Sequence, residues 1–420
     1  MPEPRDSSEL IEACYGVLKS LEVNGVKWGK EYHFGRPALT KYGPYQWLWD
    51  SGWHAIVWSH RVPEKAVAEL RSLLQFQRPD GFIPEIIFWQ QGRLSKTLAR
   101  LAAGYSRGEC TDLTQIPMLA YAVRAIWRAT QDKSLLREFV PRVAKFLEWW
   151  QSRDHDRDGL VSIIHPWESG MDASPTYDPV FHAANPGRCF MYLHFWRLLR
   201  QYHRVRWDQA TILRMERFNV EDVGVCSVYA DGWSVLASLA REFDQELASR
   251  YREQYQKSQA ALIHKCWDKE RKQFVSYFHQ GGAESASEAE TIQTLFPILL
   301  DDLPADILEN LVSNIRKPDK FRLPFPVPSV ARSDSAFNPR ESGLLWRGPM
   351  WPCSTWLIME GLLKHGFRAE AKALLDRWIE LYLQKGIWEY YDPLSGEGLG
   401  QQDFGMSTII VDMIARLKMG

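Results

Sequence analysis

Two short segments carry carboxyl groups in surroundings that would drive them to opposite protonation states. In HPWESGMDASP (165–175), Asp172 follows Gly170 in a loop flanked by Trp167, Met171 and Pro175. Apolar neighbours of this kind raise a carboxyl pKa and keep the group protonated. In GIWEYYDPLSGEGLG (386–400), Glu389 stands between Trp388 and Tyr390 on a short extended stretch ahead of a turn. A protonated and an ionised carboxyl roughly 6.5–9.5 Å apart are what inverting hydrolysis of a glycosidic bond requires, one protonating the leaving oxygen and the other activating water on the opposite face. Each has a rival in its own segment, Glu168 for Asp172 and Glu397 for Glu389. Each also has a plain structural reading, since an Asp just ahead of Ser and Pro caps helices or turns and a Glu in a glycine-rich loop is commonly solvated.

A third segment, YGPYQWLWDSGWHAIVW (42–58), sets Asp50 and His54 one helical turn apart beneath Tyr42, Trp47, Trp49 and Trp53. Indoles stack on the apolar faces of sugar rings, while the acid and the imidazole can bond ring hydroxyls; helix capping is the alternative for Asp50. SGLLWRGPMW (342–351) brings Trp346, Arg347, Gly348 and Trp351 together, and TDLTQIPM (111–118) puts Gln115 where a helix begins. Arginine supplies fixed donors and lowers the pKa of a neighbouring carboxylate, or else forms a buried structural ion pair. With Trp167 and Gly170, these residues make up the candidate binding set around the two candidate catalytic acids. The whole chain holds 19 Trp, 16 Tyr and 19 Phe, more tryptophan than a mostly aliphatic core needs.

The elements that must position these groups read as helices. Apolar residues recur at helical spacing through Leu10–Leu21, Ala66–Leu74, Ile116–Trp127, Phe139–Trp150, Trp356–Leu363 and Ile409–Leu417. Strand-like alternation is short, as at Phe274–Tyr277, so the fold class is all-α with small hairpins in loops. The stretches 28–54, 79–112, 160–185, 321–350 and 384–406 are longer than ordinary connections, and loops of that length inside a compact domain are usually functional. The polar run GGAESASEAE (281–290) reads as a loop leading into a capped helix, and no linker divides the chain, which predicts one domain over residues 1–420. Twelve helices sharing 420 residues take about 35 each with their loops, which suits six helical hairpins closed into an (α/α)6 toroid. The periodicity alone equally permits an open solenoid. Asp154, Asp156, Asp158 and Gly159 open like a calcium loop, but its twelfth position is His165 rather than a bidentate Glu, so a tight turn is expected.

Composition narrows the partners. Fifty-one basic and 52 acidic residues give a net charge of −1, which provides no overall field for nucleic acid or an anionic membrane. No basic-then-apolar leader opens the chain and no run of about 18 uninterrupted apolar residues occurs, which points to a cytoplasmic protein. Cys14, Cys110, Cys189, Cys226, Cys266 and Cys353 are widely spaced, as buried free thiols would be rather than a zinc site or a disulfide scaffold. The chemistry considered requires no metal and no organic cofactor, and a small neutral or locally recognised molecule is the expected partner.

Together the segments resemble glycoside hydrolase family 63 and the related trehalases. An E-S-G-x-D motif is matched by Glu168–Asp172, W-R-G-P-x-W by Trp346–Trp351, and the motif around the family's base by Trp388–Asp392, in the same order along the chain. The resemblance covers roughly residues 30–415. It implies an (α/α)6 inverting glycosidase with Asp172 as general acid, and it favours Glu389 over Glu397 as general base. Met406 stands where the family's closing F-x-W-T motif has its indole. The short chain and the segment GRPALTKYGPYQWLWDSGWH are similar to the compact bacterial hydrolases of mannosylglycerate and glucosylglycerate. Such substrates carry a carboxylate, for which Arg36, Arg107, Arg206 and Arg332 are candidate cations. An α-glucosidase of short oligosaccharides or trehalose-like disaccharides is the enzymatic alternative, and a non-catalytic carbohydrate-binding scaffold is the alternative of another class.

Overall fold

A computed structural model describes residues 7–90, 108–340 and 344–418. It is mainly helical. The α-helices are α1 (Ser7–Leu21), α2 (Leu48–Ser59), α3 (Pro63–Leu74), α4 (Leu119–Thr130), α5 (Lys133–Gln151), α6 (Arg188–Arg204), α7 (Gln209–Met215), α8 (Val223–Ala240), α9 (Gln245–Ala261), α10 (Ala305–Arg316), α11 (Pro352–Lys364), α12 (Arg368–Lys385) and α13 (Ile410–Lys418). Two 3₁₀ segments, Ile292–Leu299 and Gly405–Ile409, complete the packing.

The neighbours follow a cycle. Helix α2 packs on α4, α4 on α8, α8 on the 292–299 segment, that segment on α11, α11 on the 405–409 segment, and the last again on α2. Each member has a further partner outside this sequence of contacts: α3, α5, α9, α10, α12 and α1, in the same order. The residue types explain which elements are central. Every residue of α2 is buried and nearly every residue of α8, so neither has a polar face to turn to water. Helix α5 keeps its apolar stripe on one side, and the Asp132 side chain caps it by accepting from Ser134 N. Close approach also needs glycine: a Cβ on Gly361 of α11 would lie 2.6 Å from the Ile298 carbonyl oxygen. Among the described residues α8 alone is long and apolar enough to cross a membrane, and 89% of it is buried in this core.

The strands are short: β1 (Glu22–Lys27), β2 (Lys30–Gly35), β3 (Gln46–Trp47), β4 (Ile86–Ile87), β5 (Val220–Glu221), β6 (Trp267–Asp268), β7 (Gln273–Phe274), β8 (Ser276–Gln280), β9 (Ala283–Ser287), β10 (Trp388–Tyr391) and β11 (Gly398–Gln402). Two sequence expectations change here. The GGAESASEAE stretch is not simply a loop: Gly281 and Gly282, both at positive φ, turn β8 back on β9, which is the backbone a two-residue hairpin demands. No disulfide joins any of the six cysteines, but Cys189 is exposed on the first turn of α6 and Cys110 is half-buried rather than buried. The Asp-rich segment 154–159 is a turn in which Asp154 accepts from Gly159 N, and the Lys265 ammonium sits among Asp158, Glu221 and Glu284.

Candidate active site

The long loops converge on one cavity of about 350 Å³. Pairing of β3 with β4 sets Ile86 opposite Trp47, and Leu48 N donates to the Glu85 carbonyl at 2.9 Å, so the 79–90 stretch is laced to the start of α2. The Gln115 amide oxygen accepts from Trp49 N at 3.0 Å, which brings the segment before α4 to the same point. Gly170 sits at φ +72° with no room for a side chain, because a Cβ there would meet the Trp49 ring at 2.1 Å. Glycine at that position therefore presses the Asp172 loop against α2. The 344–351 segment is tied to β10 by the reciprocal bonds of Met350 and Tyr391, 2.9 and 3.0 Å. One wall of stacked rings results. Trp346 lies on Trp351 at 4.2 Å between centroids, Trp351 on Tyr390 at 4.6 Å, and Trp49 against Trp346 at 6.2 Å.

The carboxyls around this cavity differ in what they touch. Asp172 lines it, and among the described residues no side chain bonds its carboxyl; burial, helped by the charge of Glu389, pushes its pKa up to about 7 despite Lys41 nearby. Glu389, on β10, has its carboxylate turned toward donors: Tyr42 Oη on one oxygen, and on the other Gln401 N at 3.0 Å and Lys41 Nζ at 3.3 Å. An ionised carboxylate is what such a set of donors accommodates. Glu389 is not itself part of the cavity lining and reaches it through Tyr42, which is. Asp50 also faces the cavity, with Oδ1 unbonded, and burial pushes it up to about 7. The indole nitrogens of Trp49 and Trp351 likewise lack partners among the described residues. Orphaned polar atoms on a cavity wall are where ligand hydroxyls are bound.

Both rivals fall away on position. Glu168 is fully buried and held by Arg153, by Ile164 N at 2.8 Å and by Thr114 N at 3.5 Å, a structural ion pair under the loop. Glu397 is exposed in the turn between β10 and β11. Tyr42, Trp47, Trp49, Asp50, Gln115, Trp167, Gly170, Asp172, Trp346 and Trp351 all line the cavity.

Four members of the predicted binding set do not. Trp53 is a core ring packed edge-on against Trp356, and His54 is buried with Nδ1 on Glu69. Arg347 forms a buried ion pair with Asp178, the structural alternative open to it, and Gly348 turns at φ +124° beside Phe337. Asp50 lies inside the first turn of α2, with Trp47 rather than Asp50 at the N-cap. Of the candidate cations, Arg36, Arg206 and Arg332 are not on the cavity wall, and Arg107 lies outside the described residues.

The sequence reading did not single out Pro37, Glu85, Ile86, Tyr192, Leu345 and Phe404 as site residues, although all line the cavity. Glu85 had a legible signal: it is a lone acid in FIPEII, an apolar run that reads as buried. Tyr192 had none, being carried in by α6.

A cavity walled by stacked aromatic rings, with carboxyls of contrasting environment set over a helical core, is the site of a glycoside hydrolase. The chain belongs to the family described as the mannosylglycerate hydrolase MGH1-like glycoside hydrolase domain, whose profile matches residues 43–407. It is 31% identical to a mannosylglycerate hydrolase of Thermus thermophilus, over 94% of this chain and 99% of that one. It is 27% identical to the glucosylglycerate hydrolase of Mycolicibacterium hassiacum, over 87% of this chain and 91% of that one. Its backbone superposes with a TM-score of 0.85 on the crystal structure of a GH63 mannosylglycerate hydrolase from Thermus thermophilus in complex with Tris and D-glycerate, at 28% identity, covering 97% of this chain and 100% of that one. The resemblance to glycoside hydrolase family 63 is thereby borne out.

Proposed function

We propose that the chain is an inverting α-glycosidase that hydrolyses mannosylglycerate, or its glucose counterpart glucosylglycerate, to hexose and glycerate. Asp172 protonates the glycosidic oxygen and Glu389 draws a proton from water attacking the opposite face, so an α-linked substrate yields the β-hexose first. The observation that carries the reading is the contrast between the two carboxyls: one faces the cavity with no side-chain partner, the other is surrounded by Tyr42, Lys41 and Gln401 N. The hexose lies along the Trp49, Trp346 and Trp351 wall with Asp50 and Gln115 on its hydroxyls, while Tyr42, Trp47, Trp167 and Gly170 shape the rest of the pocket. Lys41 is not on the cavity wall itself, but with its Nζ 3.3 Å from Glu389 and its charge felt at Asp172 it is the cation that attracts the glycerate carboxylate. A cavity of about 350 Å³ is at the small end for ligand pockets, which favours a monosaccharide with a short aglycone over an oligosaccharide.

The cyclic order of helix contacts supports a single (α/α)6 toroid over residues 1–420, with α6 and α7 as an insertion. Six cysteines with no disulfide among them are in keeping with a reducing, cytoplasmic setting. The acid–base chemistry draws on no metal or organic cofactor. The test is hexose release from mannosylglycerate, glucosylglycerate, trehalose, kojibiose and nigerose, with the first anomer followed by NMR. Rapid turnover of a glycerate hexoside with β-hexose appearing first is expected; α-hexose first overturns the mechanism, and turnover of the disaccharides alone overturns the substrate.

A further inference from the structure

One carboxyl on the cavity wall takes no part in the chemistry above. Glu85 is 2% exposed, its Oε2 has no hydrogen-bond partner among the described residues, and it lines the same cavity as Asp172 and Asp50. An unbonded buried carboxyl oxygen is costly unless something satisfies it. Structural carboxyls nearby are satisfied: Glu168 takes bonds from Arg153 and Ile164 N on its own oxygens. Glu69 also has a free oxygen, but it does not face the cavity and its other oxygen holds Gly35 N and His54.

The backbone of Glu85 is clamped on both sides, its N–H donating to Leu113 O at 2.7 Å and its carbonyl accepting from Leu48 N at 2.9 Å. The segment of Leu113 leads to Gln115 and the helix opened by Leu48 to Asp50, so three polar side chains of the cavity lining come from adjoining backbones. The Cα of Glu85 cannot swing away to release its carboxyl to solvent. Burial, with Asp172 and Glu168 adding to it, pushes this carboxyl well above the usual range, and a neutral acid both donates and accepts, as a sugar hydroxyl does.

We propose that Glu85 is a specificity-determining residue that binds a hydroxyl of the hexose ring through its free carboxyl oxygen. This rests on the cavity being the hexose site of an α-glycosidase. The experiment titrates the full chain and its Glu85→Gln and Glu85→Leu variants with D-mannose, D-glucose and their monodeoxy analogues, read by tryptophan fluorescence, with thermal midpoints measured alongside. The wild type is expected to lose roughly tenfold in affinity for one deoxy sugar, the order of one hydrogen bond, and that penalty should vanish in Glu85→Leu while persisting at the other hydroxyls. Glu85→Gln, which keeps the shape and a donor, should retain part of the discrimination and covers the case in which the leucine variant fails to fold. A variant that weakens every sugar equally, shifting only the thermal midpoint, shows a merely structural role and overturns the proposal, as does a wild type that binds neither hexose. Turnover of glycerate hexosides is measured in parallel. If it is absent while the coupling at one hydroxyl stands, the glycerate reading fails and the assignment of Glu85 survives.

Discussion

Replacing Asp172 by Asn removes the proposed acid while keeping its shape, and the structure sets the size of the effect. The carboxyl is raised from 3.8 to about 7 by burial. At pH 7 about half the molecules then hold the proton, against roughly one in 1,600 at the ordinary value, so the environment enriches the working form roughly 800-fold. The sign follows: the acid must be protonated, so kcat/KM falls tenfold per unit above about pH 7 and levels off below it. Asp172→Asn should lower kcat on a glycerate hexoside by about 10²–10⁴. An α-hexosyl fluoride leaves without a proton, so with that substrate the variant should retain nearly wild-type kcat and the alkaline limb should disappear. The assay is initial rate against pH for both substrates in wild type and variant. Asp50 is also pushed up to about 7, so a limb that persists with the fluoride belongs to Asp50 and refutes the assignment to Asp172. Asp172→Asn turning over the glycerate hexoside within tenfold of wild type refutes it outright.

Glu389→Gln should lose about 10²–10⁴ in kcat on both the glycerate hexoside and the fluoride, because water activation is needed by either; retained fluoride hydrolysis would remove its role as base. Lys41→Met should raise KM for the glycerate hexoside about fivefold more than for the fluoride, a modest effect for a partly exposed cation, and an equal change in both would place its action on Glu389 alone. Breaking the fully buried pair with Arg153→Leu should destabilise the fold by about 3–5 kcal/mol in urea titrations, since it strands Glu168 without its cation. His165 is buried and held down to about 3 from 6.5. The unfolded chain takes up a proton that the folded one refuses, so stability is lost as pH falls from 6.5 toward 3; His165→Gln should flatten that stretch of the stability–pH curve.

What the sequence made legible follows from which residues have a periodic or local signal. The stripes through Leu10–Leu21, Ala66–Leu74, Phe139–Trp150 and Ile409–Leu417 became α1, α3, α5 and α13, while in Ile116–Trp127 the helix starts only at Leu119, after the irregular segment that carries Gln115 to the cavity wall. Helix α8 escaped because nearly all its residues are buried and it therefore has no polar face to mark a period. The wall tryptophans and Asp172 could be read from composition and short motifs, whereas Trp53, His54 and Arg347 could not be told from site residues. A buried ion pair such as Arg347 with Asp178 joins positions 169 apart in the chain, and no local pattern contains its partner. Glu85 had a local signal, a lone acid in the apolar run FIPEII, but nothing in that run says that the buried carboxyl faces the cavity rather than a partner in the core.

The two proposed catalytic carboxyls differ in the donors that reach them. Asp172 follows Gly170, whose missing Cβ lets the loop lie on Trp49, and its carboxyl lines the cavity with no donor side chain to offset burial. Glu389 is less exposed, at 1%, and sits at the edge of the β10–β11 hairpin where Gly400 allows Gln401 N to reach it and where Lys41 and Tyr42 approach from the opposite loop. Burial raises Asp172, and what sets Glu389 apart is the number of donors its backbone setting delivers to its oxygens. A side chain at Gly400 would enter the space of Glu389, with a Cβ 2.5 Å from Oε2 and 2.6 Å from the Tyr390 ring at φ +77°, so Gly400→Ala should disturb the donors and cost turnover, with Tyr390 at the end of the ring wall the one stacked ring it also presses. Unchanged kcat in that variant, with hexose affinity intact, would mean that the donors do not set the charge on Glu389.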